Sequence, residues 1–356
     1  MNVLFFVIIL FSILGFVLCN EEHVKKEKAY LMICFVVMIL LRSFFNPDYS
    51  DNYFYNIGFS EYRTMSFMDV LEDNAPSLKA ETGYRVFCKL LTYVTSEWGV
   101  CYFFISFIIF GSYYMTVKRY STMYWLSVLL IMTGPFIQSL FVLRQYMALG
   151  MILLSYPFIL EKRIIPYLLL CFIAISFHQT AAVFLPTYFL YNMRRTKTVY
   201  EVLFLLFIVL YYCFSFFLEL AASFAIETAS YNDDLIEYNS EEGTNNKMAL
   251  LLVTMLLLRI RIMKEEFFKE GINKLLSLIM IMGTLISVVG IGFIATGRLN
   301  MFYAGIEFLY VPNTFQYVLK KQHRTIMGIG YFIFMLYFMI KNSHDESFSE
   351  FWFFTE

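Results

Sequence analysis

The sequence predicts an all-α integral membrane protein with about twelve transmembrane helices. Hydrophobic residues make up 60% of its 356 positions and charged residues only 15%, whereas a soluble domain carries roughly 25% charged residues. Apolar stretches of membrane-crossing length recur from one end of the chain to the other. Because an isolated strand cannot satisfy its backbone hydrogen bonds in lipid, each stretch is predicted to be a helix.

The apolar stretches leave no soluble segment long enough to hold a core of its own, so we expect one transmembrane domain over residues 1–356. Its spans are predicted at residues 3–19, 29–45, 98–117, 122–136, 138–160, 164–177, 180–193, 199–219, 247–263, 275–295, 300–319 and 325–341. The sixth and seventh are shorter than the roughly 17 residues that a crossing needs. They are either two short crossings or a re-entrant hairpin with ISFHQTAAVFLP at its tip.

Lysine and arginine are distributed unevenly between alternate connections. One set of connections carries 18 of these residues and the rest of the chain carries 9. The positive-inside rule places the richer set in the cytoplasm, with both termini outside. The loops at 46–97 and 220–246 and the tail after residue 341 are then expected to face outward.

The stretch FVLRQYMALG, residues 141–150, places Arg144 and Gln145 inside the predicted span 138–160. Arg144 is expected about six residues into this span, roughly 9 Å below the outer surface. A charged residue at a helix centre costs about 2.5 to 3.5 kcal/mol on insertion scales. Arg144 is therefore either a structural residue, which snorkels or forms an ion pair, or part of a water-filled ligand site.

Arginine is frequent at the predicted outer boundary. Its planar fork of donors suits phosphate, so these residues indicate an anionic head group, most simply a lipid-linked diphosphate. For Arg42 and Arg63, an anchoring role at the membrane interface is equally open. The outward arginines are Arg42, Arg63, Arg85, Arg144 and Arg298.

His178, in SFHQT, is the histidine that the spans place at the outer rim of the membrane. A neutral imidazole can accept a proton from an attacking hydroxyl group. The alternative is a structural role, in which His178 caps the tip of the hairpin by bonding a backbone carbonyl.

The outer loop contains two polar motifs. FFNPDYSDNYFYNIGF carries Asp48, Asp51 and Tyr53, which suit the hydroxyls and apolar faces of sugars, although interfacial tyrosines give the same composition. Two aspartates are too few for a dedicated metal site, and no metal is expected. SLKAETGYRVFCKLLTYV predicts a helix capped at Ser77.

Along that predicted helix, Glu81, Arg85 and Lys89 recur at every fourth position and so lie on one side. They form either a solvated ladder of salt bridges or one wall of a substrate groove. Further along, TGRLNMFYAGIEF places Arg298 and Tyr303 at the outer end of the eleventh span, with Glu307 about one turn deeper.

Taken in order, NPDYSDNYFYNIGF, ETGYRVFCKLL, LRQYMALG, SFHQTAAVFLP and GRLNMFY resemble the EpsG family of Wzy-like polysaccharide polymerases. The resemblance implies a bacterial inner-membrane enzyme with a helical architecture like that of multi-span (GT-C type) glycosyltransferases. It implies a substrate of polyprenyl-diphosphate-linked oligosaccharide units, with a chain-length regulator and a flippase as further partners. It places at or near the site Asp48, Asp51, Glu81, Arg85, Arg144, Gln145, His178, Arg298 and Tyr303.

The reaction expected from these residues is glycosyl transfer without a metal or other cofactor. A sugar hydroxyl, deprotonated by His178 or a nearby carboxylate, attacks an anomeric carbon, while Arg144 and Arg298 stabilise the departing diphosphate. One alternative is a transporter or flippase of the same lipids, although the paired halves common in transporters are not visible. The other is a membrane O-acyltransferase that modifies the polysaccharide. Nucleic acid is not an expected partner.

Overall fold

A computed structural model describes residues 2–19, 24–45, 51–72, 77–193, 271–289 and 294–341, with the isolated positions 202, 205 and 209. The regular elements in these ranges are helices, as predicted. They are α1 Asn2–Leu18, α2 Val24–Ser43, α3 Asp51–Thr64, α4 Phe67–Leu71, α5 Thr82–Thr92, α6 Trp98–Tyr120, α7 Tyr124–Thr133, α8 Pro135–Phe141, α9 Leu143–Leu160, α10 Ile164–Phe177, a 3-10 helix Gln179–Phe184, α11 Thr187–Asn192, α12 Gly271–Val289, α13 Ile294–Ala304, α14 Glu307–Val318 and α15 Lys321–Lys341.

Within the described ranges, 4 helices are long and apolar enough to cross a membrane: Trp98–Tyr120, Tyr124–Phe141, Leu143–Leu160 and His323–Ile340. Shorter apolar helices lie at Val3–Leu18, Ile164–Phe177 and Gly271–Ile286. The predicted spans 199–219 and 247–263, the loop 220–246, the tail after 341 and Asp48 lie outside the described residues, the isolated positions apart. The total of twelve spans and the glycosyltransferase-like arrangement therefore stay predictions.

Helix α9 lies in the interior of the bundle and packs against both α6 and α10. Every side chain from Gln145 to Leu149 is buried. At Gly150, a methyl group would come within 2.9 Å of Ser112 Oγ on α6. The glycine thus permits the two helices to approach closely, as small residues commonly do between membrane helices.

The predicted boundary between the fourth and fifth spans was wrong by about one helical turn. The interruption at Gly134 is brief, because Pro135 occupies the first position of α8, where its missing N–H costs nothing. The helical path continues to Phe141, and α9 begins at Leu143. Arg144 therefore lies in the first turn of its helix and not six residues into it.

The outer loop is more helical than its sequence suggested. Helix α3 was not predicted, yet Asn52, Tyr55, Phe59 and Tyr62 form its buried face at helical spacing. Helix α5 begins four residues later than expected, with Glu81 as its N-cap residue. Ser77 is not the cap.

Two basic residues of the predicted ladder point into the protein. Arg85 donates to the carbonyls of Val70 (2.8 Å), Leu71 (2.9 Å) and Ala80. Lys89 donates to the carbonyls of Tyr62 and Met65 at 2.9 and 2.7 Å. Both side chains are buried. They fasten α5 to the ends of α3 and α4, so the ladder is neither solvated nor a groove wall at these two positions.

Arg42 is fully buried between three helices. Its guanidinium donates to Ser106 Oγ on α6 (2.9 Å) and to Ser139 Oγ and the Ser139 carbonyl on α8 (3.2 and 2.7 Å). It also lies over the ring of Tyr102, 4.3 Å from the ring centroid. Arg42 is therefore not an interfacial anchor, which was one of the two roles considered for it. Arg63, by contrast, is exposed.

Two of the predicted cytoplasmic connections, near residues 119 and 162, meet at one end of the bundle. Arg119, in the last turn of α6, lies 3.3 Å from Glu161, which follows α9. Arg163 also pairs with that carboxylate, at 3.5 Å. Tyr188 on α11 donates to the carbonyl of Lys162 (2.8 Å). The chain from α10 through the 3-10 helix to α11 therefore returns to the end from which it started, as both interpretations of this segment required.

The end that faces outward can be tested by cysteine labelling in a variant that lacks the natural cysteines. Tyr53 and Arg119 are both exposed, at opposite predicted sides. In intact spheroplasts, a membrane-impermeant maleimide is expected to label Tyr53→Cys at once and Arg119→Cys only after permeabilisation. The reverse pattern would contradict the positive-inside assignment.

Candidate functional site

Three of the sequence motifs meet at the carboxylate of Glu81. One oxygen, Oε1, lies 2.7 Å from His178 Nδ1 and accepts the backbone N–H of Gln179 at 3.3 Å. The other, Oε2, accepts a hydrogen bond from Arg144 Nη1. The outer loop, the start of α9 and the end of α10 are thereby joined through one side chain.

Glu81 fixes which nitrogen of His178 carries the proton in a neutral ring. An ionised carboxylate only accepts hydrogen bonds, so Nδ1 is the donor and the lone pair is on Nε2. Among the described residues, Nε2 is buried and has no hydrogen-bond partner. The expected alternative, in which His178 bonds a backbone carbonyl to cap the hairpin, is therefore not the arrangement seen for its ring.

The pKa of the Glu81 carboxyl reflects opposing effects. Burial raises this pKa, but the hydrogen bond from His178 and the charge of Arg144 outweigh burial and lower it to about 2. Glu81 is consequently ionised at neutral pH. It can orient His178 and stabilise a positive charge on the ring, but it cannot itself supply a proton.

Arg144 is held on several sides. Besides Glu81, it donates from Nε to the hydroxyl of Tyr55 (3.3 Å) and from Nη1 to the carbonyl of Lys79 (3.4 Å). These bonds, recorded within the described residues, leave the N–H groups of Nη2 available to a ligand. Its side chain is 22% exposed, so the structural ion pair considered from the sequence is present and still allows contact with a ligand.

Gly83 permits the approach that brings Glu81 to His178. It lies in the first turn of α5, against the last turn of α10, and a methyl group there would lie 2.7 Å from the backbone carbonyl carbon of Ser176. Real side chains do not tolerate that distance from a backbone atom. The glycine in ETGYR therefore has a packing role that its position in the sequence alone did not reveal.

A cavity of about 530 Å³ lies beside this cluster. Three of its lining residues, Gly134, Val142 and Gly305, stand where one helix ends and the next begins. Interrupted helices at membrane depth are tolerated where they are buried in protein or line a water-filled space. The polar residues that line the cavity are Asp51, Gln138, Gln145, Arg298, Asn300 and Glu307.

Gln145 connects the cavity to the neighbouring cluster, since it follows Arg144 in the chain. Its Nε2 donates to the backbone carbonyl of Arg298. A carbonyl only accepts, so the orientation of the amide is determined and Oε1 is the remaining acceptor. Gln145 is 1% exposed, and within the described part of the chain its Oε1 has no partner.

The residues predicted for the site divide into three groups. Glu81, Arg144 and His178 form the cluster; Asp51, Gln145 and Arg298 line the cavity, with Arg298 exposed at it. Arg144 is not among the described lining residues. Arg85, Tyr53 and Tyr303 lie apart from both: Tyr53 is exposed on α3, and Tyr303 is buried and donates to the carbonyl of Val183 (2.6 Å).

Several residues of the site were missed or left out in the sequence analysis. Tyr55 and Gln138 contribute from segments assigned to a loop and to the outer end of a span, and Glu307 was noted only as a deeper neighbour of Tyr303. Gln138 accepts a 2.7 Å hydrogen bond from Tyr146 on α9. Buried amides and a carboxylate in a membrane chain are a usable signal, because such groups are costly there.

Gly83→Ala is expected to uncouple Glu81 from its partners and to lower the unfolding midpoint in detergent. Glu81→Gln should then destabilise the Gly83→Ala protein less than it destabilises the natural one. Gly111→Ala is the matched control, because nothing lies within 4 Å of its Cβ position, and it should leave the midpoint unchanged or slightly raised. Additivity of the Gly83 and Glu81 effects within about 0.5 kcal/mol would contradict the proposed packing role.

The chain was compared with protein-family models, curated proteins and solved structures. No curated protein and no solved structure matches the chain. A protein-family model matches residues 28–354, which is most of its length. The chain therefore belongs to the EpsG family.

Proposed function

We propose that this protein joins polyprenyl-diphosphate-linked oligosaccharide units by glycosyl transfer at the outer side of the bacterial cytoplasmic membrane. Family membership and the apolar helices make it a multi-pass membrane protein of polysaccharide biosynthesis. The particular reaction is inferred from the cluster around Glu81. The observation that carries it is the Glu81–His178 bond, which leaves Nε2 of the ring as a free, buried base.

In the proposed step, a hydroxyl of the acceptor unit attacks the anomeric carbon of the donor unit. A new carbon–oxygen bond forms, and the bond from that carbon to the diphosphate oxygen breaks, with its electron pair leaving on the diphosphate. The hydroxyl proton passes to Nε2 of His178. The ionised Glu81 stabilises the resulting imidazolium, as the carboxylate of a catalytic triad stabilises its protonated histidine.

The departing diphosphate requires positive charge, and two arginines can supply it. The charge of Arg144 is partly neutralised by its ion pair with Glu81, so Arg144 would bind the diphosphate through the N–H groups of Nη2. Arg298 is exposed at the cavity, and its backbone carbonyl accepts a hydrogen bond from Gln145. Guanidinium groups held in place before the reaction stabilise charge as it develops on the leaving group.

His178→Ala is expected to lower polymer formation by about 10² to 10⁴-fold, the usual contribution of a general base. The measurement is the ladder of glycan lengths formed by purified protein in liposomes from polyprenyl-diphosphate-linked repeat units. His323→Ala is the matched control, since His323 lies at the opposite predicted side. A normal ladder from His178→Ala would remove this residue from the mechanism.

Arg298→Gln is expected to lower the rate in the same assay by about 10² to 10³-fold, as loss of a charge-stabilising donor does elsewhere. Arg298→Lys should recover only part of this loss, because lysine keeps the charge but not the planar fork. Arg63→Gln, at an exposed outer arginine, is the control. Equal effects at Arg63 and Arg298 would point to general surface charge.

The same assay separates the alternative functions. A flippase would move lipid-linked units without lengthening them. A Glu–His pair also suits acyl transfer, so an acyl mass on glycans of unchanged length, found by mass spectrometry, would favour an O-acyltransferase and overturn the polymerase.

A further inference from the structure

We infer that the 530 Å³ cavity binds the hydroxyl-bearing sugar of the acceptor unit, apart from the place where the donor diphosphate is held. This inference rests on the proposed function. A polymerase must hold two units of the same kind at once, and they differ at their reacting ends. The donor reacts at a carbon bonded to diphosphate, whereas the acceptor reacts at a sugar hydroxyl distant from its own phosphate.

The size of the cavity fits such a ligand. Small-molecule sites commonly have volumes of about 300 to 1,000 Å³, and the cavity falls within this range. The cavity and the cluster around Glu81 share α9, because Arg144 is bonded to Glu81 and the next residue, Gln145, lies on the cavity wall.

The charges of the described lining residues favour a sugar over a diphosphate. Asp51 and Glu307 are acidic, and Arg298 is basic and exposed. Carboxyl oxygens accept hydrogen bonds from the hydroxyl groups of a sugar, whereas they have no positive charge to offer a diphosphate. Arg298 then stands where the sugar site meets the diphosphate of the other unit.

The buried amide of Gln145 adds an independent argument. Its Oε1 is an acceptor without a partner in the described residues, although it belongs to a side chain that is almost fully buried. A buried acceptor left unbonded costs free energy, and a hydroxyl donated by a bound sugar would satisfy it. Phosphate, which lacks donors when ionised, would not.

Glu307 is the new residue that this inference assigns to the site. It begins α14, directly after the interruption at Gly305 and Ile306, and both Gly305 and Glu307 line the cavity. The interruption places a carboxylate at the cavity wall, where a continuous helix was expected from the sequence. Its role is to bind the acceptor sugar and not to take part in bond breaking.

The test is direct binding of a probe that cannot act as a donor. The probe is the repeat-unit oligosaccharide, released from its lipid by mild acid and reduced with borohydride. The full-length protein in nanodiscs is expected to bind it. Glu307→Gln and Gln145→Leu should each weaken binding by about tenfold or more, the effect of losing one hydrogen bond of this kind.

Glu72→Gln is the matched control, an exposed carboxylate elsewhere in the outer loop, and should bind the probe normally. If Gln145→Leu fails to fold, the binding measurement uses Asp51→Asn in its place, because Asp51 lines the cavity at the exposed start of α3. Transfer kinetics with a saturating labelled donor should show a raised KM for the probe as acceptor and a nearly unchanged kcat in Glu307→Gln. A purely structural role for Glu307 would not raise KM while leaving kcat nearly unchanged.

The two proposals fail in different ways. If the natural protein polymerises but Glu307→Gln binds the probe as tightly as the natural protein, the cavity assignment is overturned and the polymerase stands. If the natural protein binds the probe and the variants do not, but no ladder forms, the sugar site stands and the polymerase is overturned. Absence of both binding and polymerisation would overturn both.

Discussion

The ionised carboxylate of Glu81 holds the outer end of the protein together. It accepts hydrogen bonds from a histidine at the end of α10, an arginine at the start of α9 and a backbone N–H beyond α10. Without Glu81, His178 Nδ1 would lose its hydrogen-bond partner and Arg144 would lose its counter-charge, and both losses are costly near the membrane. One carboxylate satisfies these groups together, and by bonding Nδ1 it also fixes the orientation of the His178 ring and of its free Nε2.

The interrupted helices explain how a polar space exists inside an apolar bundle. Gly134, Val142 and Gly305 each mark a break, and all three face one cavity. A continuous helix would have presented mainly side chains there, whereas the breaks bring backbone and short polar groups to the wall. The fold thus places a cavity with polar walls next to the ion-pair cluster around Glu81, inside an otherwise apolar bundle.

Local patterns in the sequence predicted most of what depends on local physics. Apolar length predicted the helices, and the alternation of connections predicted that those near residues 119 and 162 share an end, which the Arg119–Glu161 pair confirms. The motifs predicted Glu81, Arg144 and His178 as candidates. Their pairing could not be derived, because Glu81 and His178 are separated by 97 positions and meet only through the packing of α5 on α10. Helix ends were missed where Pro135 restarts a helix and where Ser77 is bonded to Glu61 instead of capping.

The guanidinium of Arg42 has a consequence for how the protein is assembled. Its hydrogen-bond partners in the described residues, Ser106 and Ser139, belong to α6 and α8, which are synthesised well after α2. A newly inserted α2 therefore has nothing to bond this charge, and the side chain must extend to the head groups or the helix must sit displaced toward the surface. We therefore expect α2 to reach its final position late in biogenesis. The pair α1 and α2 then packs stably against the bundle only after α6 and α8 have been inserted.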